Sequence, residues 1–401
     1  MFFVKLKLTK MQKNIFSLLM LAVLLTTAGC KRELHSSLYD DGSTPSPISN
    51  TTVQNLPGAA EITYSLPHDN NILYVKAEYE IRPGVKREVK SSYYNNSLLV
   101  DGFGTTNEYT VQLYVVTRSE KFSTPVTVKV KPLTPPVVAT FNSLNVAEDF
   151  GGLIINYLND AKADLAIHTW AADSTSAMVE ANTNYTTLPS GRYTIRGFDS
   201  TTRKFSFFVK DRFGNISDTL TATYKPLYEK LLDKTLFRAV VLPTDVKDDW
   251  GLPMQNMWNN GYTDFWDMFH TQTQSFPMWF TFDLGITVKL SRMALWQRQS
   301  PATDWAYNAN NPKKFEVWGS TNPDVDGGWN NWIKLTDHEI VKPSGLPLGQ
   351  VSADDIAAAA KGEEIAIPLA MPQVRYIRLK ILETFTNSAT NIAEISVWGQ
   401  P

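Results

Sequence analysis

The sequence predicts an all-β protein made of two tandem β-sandwiches followed by a larger sandwich of the jelly-roll type. Three observations lead to this prediction. Short β-branched and aromatic segments with period-two alternation recur along most of the chain. No helix-period segment of ten or more residues appears between residues 53 and 227. The length of 401 residues is too great for one ordinary domain.

The composition excludes several classes of function. The chain carries 38 basic and 40 acidic residues, so its net charge of −2 argues against a nucleic-acid groove. The five histidines have no ligand-like spacing. The single cysteine, Cys30, excludes an intramolecular disulfide, a redox pair and a cysteine-rich zinc site.

The first 29 residues have the pattern of a secretory signal. Lysines at positions 5, 7, 10 and 13 precede an apolar run over residues 15–25. As a helix this run would be about 16 Å long, roughly half the hydrocarbon thickness of a membrane. We therefore expect residues 1–29 to be a signal peptide, starting at Met1 or at Met11.

The segment Thr27-Ala28-Gly29-Cys30 resembles the lipobox of bacterial lipoproteins. The resemblance implies cleavage before Cys30 and acylation of that residue, with residues 30–52 as a lipidated, polar tether to the membrane. The alternative is an ordinary signal peptide followed by a free cysteine.

Two related modules follow, over residues 53–134 and 135–229. At an offset of 94, residues 108–133 align with residues 202–227, and seven of the 26 positions are identical. Residues 207–217 resemble the last hairpin of a fibronectin type III or bacterial immunoglobulin-like domain. The modules either bind ligand through strand-end loops or form a stalk.

The remaining residues, 236–401, form a domain rich in tryptophan. Ten of the eleven tryptophans follow residue 249, and several lie in strand patterns, which favours a jelly roll. One short helix is predicted over residues 352–361, with Ser352 as its N-cap and acidic residues in its first turn.

The order of motifs in this domain resembles the coagulation factor V/VIII type C, or discoidin, family. The opening loop spans Trp258 to Trp266, a W-x-x-x-D-L-G strand spans Trp279 to Gly285, and R-Y-I-R-L and A-E-I-x-V-x-G segments close the chain. With the two preceding modules, the chain resembles surface lipoproteins found beside glycan-uptake systems in Bacteroidetes. That resemblance implies a galactose-binding-like sandwich that binds carbohydrate.

Tryptophans in strands and in loops are expected to differ in role. Trp279, Trp296, Trp318 and Trp398 lie in strand patterns and are predicted to be core or half-buried. Trp258, Trp266 and Trp305 lie among polar loop residues, where an indole can pack on a sugar ring. The resemblance leaves a structural role for Trp266 as an alternative. The candidate ligand contacts are Trp258, Arg298, Asp304, Trp305, Tyr307, Asn308, Phe385 and Asn387.

The discoidin resemblance also implies a structural calcium ion in the first loop. Asn259, Asp264 and Glu394 are the oxygen donors that match the family's positions. Calcium takes six to eight oxygen ligands, many of them backbone carbonyls, so these three residues would be part of a larger set.

No catalytic motif accompanies these features. The sequence has no G-x-S-x-G elbow, no HExxH motif, no P-loop and no dinucleotide-binding turn. We therefore expect a non-catalytic lipoprotein, anchored in the outer membrane and exposed at the cell surface, that binds glycan beside outer-membrane glycan-transport proteins. The alternative is an adhesion or assembly subunit that binds a partner protein through the same loops.

Overall fold

The computed structural model describes residues 43–261, 266–299, 305–386 and 388–401. The chain divides into two compact units between Pro135 and Pro136. β-strands form nearly all of the regular structure, so the all-β prediction is confirmed. None of the helices in these ranges is both long enough and apolar enough to cross a bilayer. Cys30 lies outside the described residues.

The first unit contains the first sandwich. One sheet has three strands in the order β1-β2-β5, and the other has four in the order β4-β3-β6-β7. Strand β1 begins at Ser49, inside the expected tether, because residues 49–56 pair with the next strand along the chain. The strands are β1 (Ser49–Leu56), β2 (Ala59–Ser65), β3 (Ile72–Arg82), β4 (Val85–Ser92), β5 (Ser97–Asp101), β6 (Tyr109–Thr117) and β7 (Val126–Val130).

The second unit begins with the second sandwich, whose sheets have the orders β12-β9-β8 and β11-β10-β13-β14. A short helix, α1 (Pro136–Asn142), precedes the strands. The strands are β8 (Asn145–Asp149), β9 (Gly152–Leu158), β10 (Leu165–Ala172), β11 (Met178–Thr186), β12 (Ser190–Arg196), β13 (Arg203–Asp211) and β14 (Leu220–Tyr224).

The predicted repeat is confirmed at the level of hydrogen bonds. In the first sandwich, the Val115 amide donates to the Ser123 hydroxyl over 3.0 Å, and that hydroxyl donates to the Thr124 carbonyl. At positions 94 residues later, the Val209 amide donates to the Ser217 hydroxyl over 2.9 Å. The repeated serines satisfy the same backbone groups, which explains why a serine occurs at both positions.

The C-terminal domain is built around one long, bent strand. The first part of β18 pairs with β22, and its last part pairs with β24, so both layers of the sandwich share it. The bend lies at Gly285, whose φ is +77°. A Cβ atom there would lie 2.7 Å from the Leu236 carbonyl oxygen, so only glycine fits. The strands are β15 (Lys230–Leu231), β16 (Arg238–Val240), β17 (Phe269–His270), β18 (Met278–Trp296), β19 (Pro312–Ser320), β20 (Ile333–Glu339), β21 (Glu363–Ala366), β22 (Val374–Thr384), β23 (Asn391–Ile392) and β24 (Glu394–Gln400).

The predicted helix is present as α2 (Ala353–Lys361). Ser352 caps it, and the side chain of Asp355 accepts from the Ser352 amide in a reciprocal capping box. Asp355 also accepts hydrogen bonds from the amide and hydroxyl of Ser344. Together these bonds outweigh the effect of burial and hold the pKa of Asp355 at about 2.

A buried arginine crosses one face of the C-terminal domain. Arg378 on β22 is fully buried, and its guanidinium lies 4.6 Å from the Trp329 ring and 4.5 Å from the Trp332 ring. It donates to the Thr281 hydroxyl and to the Gly328 carbonyl. We call Arg378, Trp329 and Trp332, together with Asp245, whose carboxylate lies 3.3 Å from the guanidinium, the Arg378 cluster. The half-buried positions of Trp279, Trp296, Trp318 and Trp398 confirm the prediction for the strand tryptophans.

Ion pairs join the second sandwich to the C-terminal domain. Arg196 on β12 lies 3.2 Å from the Glu364 carboxylate on β21. Arg292 on β18 contacts the same carboxylate and also Glu229, each over 3.2 Å. Glu229 further accepts a hydrogen bond from the Ser291 hydroxyl. Because three of the four charged side chains are at most 17% exposed, this joint is largely withdrawn from solvent.

Candidate functional site

The candidate site lies between the end of β18 and the start of β19, in the loop residues 297–299 and 305–311. Buried Asn311 holds this loop together. Its side-chain oxygen accepts from the Arg298 amide, and its side-chain nitrogen donates to the carbonyls of Arg298 and Trp305 over 3.1 and 2.7 Å. The Asn311 carbonyl accepts from the Phe385 amide, so the late loop is fastened to the same residue. Asn311 has no signal in the sequence, because a lone asparagine in a loop has no distinctive pattern.

Arg298 and Trp305 form the centre of this region. The guanidinium carbon of Arg298 lies 3.7 Å from the centre of the Trp305 ring, which is a close cation–π contact. Arg298 is only 7% exposed, and burial lowers its pKa to about 10. Trp305 is half-buried. The arginine therefore supports one face of the indole.

Two predicted contacts are packing residues in the structure. Tyr307 is 2% exposed, and its ring meets Phe385 edge-on at 6.0 Å. The Tyr307 amide donates to the side chain of Gln297, and its φ of +52° lies in the left-handed region. Phe385 is partly buried against the core. Of the predicted contacts, half-buried Asn308 and Trp305 remain nearer the surface, whereas Asp304 and Asn387 lie outside the described residues.

The prediction for Trp258 is wrong. Its side chain is 8% exposed and packs edge-on against Phe237 at 5.9 Å and beside Phe282 at 5.8 Å. A short 3-10 turn, Met254–Trp258, turns it into the core. Polar neighbours in sequence suggested a loop exposed to solvent, but the turn points the indole inward.

The tryptophans with exposed side chains are Trp250 and Trp266. Trp250 is 73% exposed and Trp266 is 62% exposed. Trp250 was not among the predicted contacts, although the Asp249-Trp250-Gly251 segment is a loop signal.

The loop of Trp250 lies at the same end of the domain as Arg298. The Asp249 amide donates to the His270 carbonyl over 2.9 Å. The His270 ring lies 3.4 Å from the side-chain nitrogen of Asn310, one residue before Asn311. Burial lowers the pKa of His270, and the positive charge of Arg298 lowers it further. The site therefore combines a supported indole, an exposed indole on the adjoining loop and several amide side chains.

The described residues do not fit the expected calcium ion. Lys234 donates to Glu394 over 2.6 Å and to the side-chain oxygen of Asn260 over 3.1 Å, so an ammonium group already lies among these oxygens. The other Glu394 oxygen accepts from the Asn260 amide. Asn259 instead bonds to Asp267 and to the Gly261 amide, and Asp264 lies outside the described residues. Within the described ranges, no three His, Cys, Asp or Glu residues group as metal ligands do.

Three families match along the chain. Residues 45–132, 133–235 and 258–399 each match a different family, and each of these families is described as a domain of unknown function. No curated protein matches the sequence.

Among solved structures, two carbohydrate-related proteins are similar to part of this chain. One is a putative chitobiase fragment from Bacteroides thetaiotaomicron, with 18% identity over 43% of this chain and 93% of that one, at a TM-score of 0.30. The other is the CBM32 of AlyQ in complex with 4,5-unsaturated mannuronic acid, with 15% identity over 42% of this chain and 97% of that one, at a TM-score of 0.28. At these identities and scores, neither likeness carries an argument about function.

A third solved structure is much more similar in sequence. The SusE-like protein BT2857 is 35% identical, and the match covers 67% of this chain and 100% of that one, at a TM-score of 0.45. The assignment rests on the sequence identity over that protein's whole length. The chain belongs to the SusE-like proteins.

Proposed function

We propose that this protein is a non-catalytic lipoprotein that binds glycan at the loop end of its C-terminal domain. The observation that carries the proposal is the stack of Arg298 on Trp305. The side chain of Asn311 hydrogen-bonds to the backbone of both residues and so holds them in place. A sugar ring has an apolar C–H face and a polar rim. A fixed indole beside amide groups matches both, because the ring packs on the indole while the amides bond to hydroxyls.

Preorganisation favours binding at this loop. Tyr307 and Ala309 both have φ near +50°, which only a well-supported backbone retains. Their loop is pinned by buried Gln297 and Asn311. An indole held in one orientation loses little conformational entropy when a ligand arrives.

The cellular setting belongs to the same proposal. Acylation of Cys30 would anchor the protein in the outer membrane, with the C-terminal domain at the cell surface and glycan-transport proteins as neighbours. Membership in the SusE-like proteins supports this setting. The mass of the N-terminal peptide from membrane-extracted protein tests it, because an acyl-bearing Cys30 is expected and an unmodified one would refute the anchor.

The binding test uses the full chain and a panel of soluble polysaccharides that includes starch, xylan, galactomannan, pectin and mucin glycans. Affinity electrophoresis finds the ligand and calorimetry measures it. Trp305→Ala should weaken binding at least tenfold while the fold is kept, with about 1 kcal/mol of stability lost because the Arg298 contact is removed. Tyr228→Ala removes another exposed aromatic side chain of the same unit and serves as the control. No retardation by any glycan, with capture of a protein partner instead, would favour the adhesion alternative.

A further inference from the structure

The two small sandwiches share a frame but differ on the outer face of their four-stranded sheets. In the first sandwich, Lys76 on β3 lies opposite Lys90 on β4 and Tyr114 on β6. At the equivalent place in the second sandwich, His168 on β10 lies opposite Thr183 on β11 and Phe208 on β13. The next outward positions are Glu78 in the first sandwich and Trp170 in the second.

The charged side chains on this face of the first sandwich form ion pairs with one another. The Lys76 ammonium lies 2.6 Å from the Glu78 carboxylate and 4.5 Å from the Phe122 ring. Glu88 and Lys90 are 3.5 Å apart. Charges on an outer strand discourage sheet-to-sheet association, so this face has a sufficient structural explanation.

The corresponding face of the second sandwich is aromatic. The His168 and Phe208 rings are stacked at 4.7 Å with only 12° between their planes, and Trp170 lies 6.4 Å from Phe208. These rings pack against each other on the solvent side of the sheet, where the first sandwich has its ion pairs. All three rings are half-buried, and the His168 ring also contacts the Thr183 hydroxyl over 2.9 Å.

A groove of about 370 Å³ begins at the His168 end of this cluster. Ala166 forms its floor, because its register places it between Tyr185 on β11 and Lys210 on β13. Tyr185 is 77% exposed and forms one wall. The volume is in the range of small-molecule sites.

The charges that line the groove balance. Asp164 and Asp211 are acidic, whereas Lys210 and Arg212 are basic. An anionic or cationic ligand would gain little from such a lining. A neutral molecule with many hydroxyl groups suits it better, because hydroxyls donate to carboxylates and accept from ammonium groups.

We propose that this groove is a second carbohydrate site, in which a sugar ring packs on Tyr185 above Ala166 and its hydroxyls bond to Asp164 and Lys210. The choice of a sugar as the occupant rests on the proposed function. The groove lies on a different domain from the Trp305 loop, so the two sites are tested separately.

The experiment uses the full chain carrying Trp305→Ala, titrated by calorimetry with the same polysaccharides. We expect residual binding, which Tyr185→Ala in that background reduces about tenfold and Tyr185→Phe largely restores. Tyr94→Ala is the matched control, because Tyr94 is 80% exposed on the first sandwich. Thermal unfolding of each variant verifies that the fold is kept.

The outcomes separate the two sites. Residual binding that Tyr185→Ala leaves unchanged overturns the second site and leaves the Trp305 site intact. Binding that Tyr185→Ala abolishes while Trp305→Ala has no effect overturns the loop site and supports the groove. A dimer that depends on Tyr185, seen by analytical ultracentrifugation, would instead assign the groove to a second copy of this chain and overturn the proposal.

Discussion

Arg298 and Arg378 both stack on tryptophan within the C-terminal domain, yet their surroundings differ. Arg378 contacts two indoles, faces a carboxylate and donates to backbone carbonyls in the buried part of the fold. Arg298 contacts a single indole, Trp305, at the end of the sandwich. Arg378 is fully buried and stabilises the fold, whereas Arg298 packs on a half-buried indole that we propose as a ligand contact.

The largest effect is expected from Arg378→Ala. It leaves Asp245 buried without its partner, and burial already raises the pKa of that carboxyl. The free energy of unfolding should fall by about 3–5 kcal/mol, measured by urea denaturation. Asp245→Ala in the same chain should recover part of the loss, because the unpaired charge is then gone. A loss below about 1 kcal/mol would show that the cluster is not structural.

A smaller loss is expected from Lys234→Met, which removes a cation whose side chain is 11% exposed. Glu394, whose pKa burial raises to about 7, would then lose its ion pair at a cost of about 3 kcal/mol. Exposed Lys230→Met is the control. Chelation with EDTA should leave the melting temperature of the unaltered protein unchanged, since Lys234 already neutralises the carboxylate. A calcium-dependent melting temperature would contradict this interpretation.

Arg298→Ala should cost less stability than Arg378→Ala, about 1 kcal/mol, because a cation–π contact with a half-buried indole is lost. Its effect on glycan affinity should be larger, about tenfold, as Trp305 loses its support. Arg298→Lys is the informative variant, since it keeps the charge but loses the planar stack. Equal stability losses at Arg298 and Arg378 would remove the distinction between the two clusters.

The smallest effect concerns pH. Burial lowers the pKa of His270 in the folded protein from its ordinary value of 6.5. Below pH 6.5 the unfolded chain therefore binds more protons at this residue than the folded chain does. Stability from this group is therefore complete above pH 6.5 and declines as the pH falls below that value. His270→Gln should flatten the dependence of unfolding free energy on pH between 7 and about 5. An unchanged slope would exclude His270 as its source.

Features set by local patterning were predictable from the sequence. The strands follow period-two alternation, and α2 begins at Ser352 as its capping pattern predicts. The repeat was visible because Ser123 and Ser217 serve the same backbone groups at the same spacing. In each case the responsible residues are close in sequence or repeat at a fixed offset.

Features set by distant partners were not predictable. Trp258 and Trp250 stand in similar polar surroundings, and only the packing against Phe237 and Phe282 buries the first. The partner of Glu394 is Lys234, which is 160 positions away in sequence. The support that Asn311 gives to Arg298 and Phe385 also depends on loops brought together by the sheet.

The joint made by Arg196, Glu229, Arg292 and Glu364 has a consequence for avidity. A flexible linker would let the second sandwich and the C-terminal domain sample many separations, and each simultaneous contact with one long polymer would carry an entropic penalty. Ion pairs at the joint fix the spacing of the two domains before a polymer binds. A second contact with the same polymer would therefore occur at a high effective concentration. Two weak sites held in this way would select polymers by the interval between their binding units as well as by their chemistry.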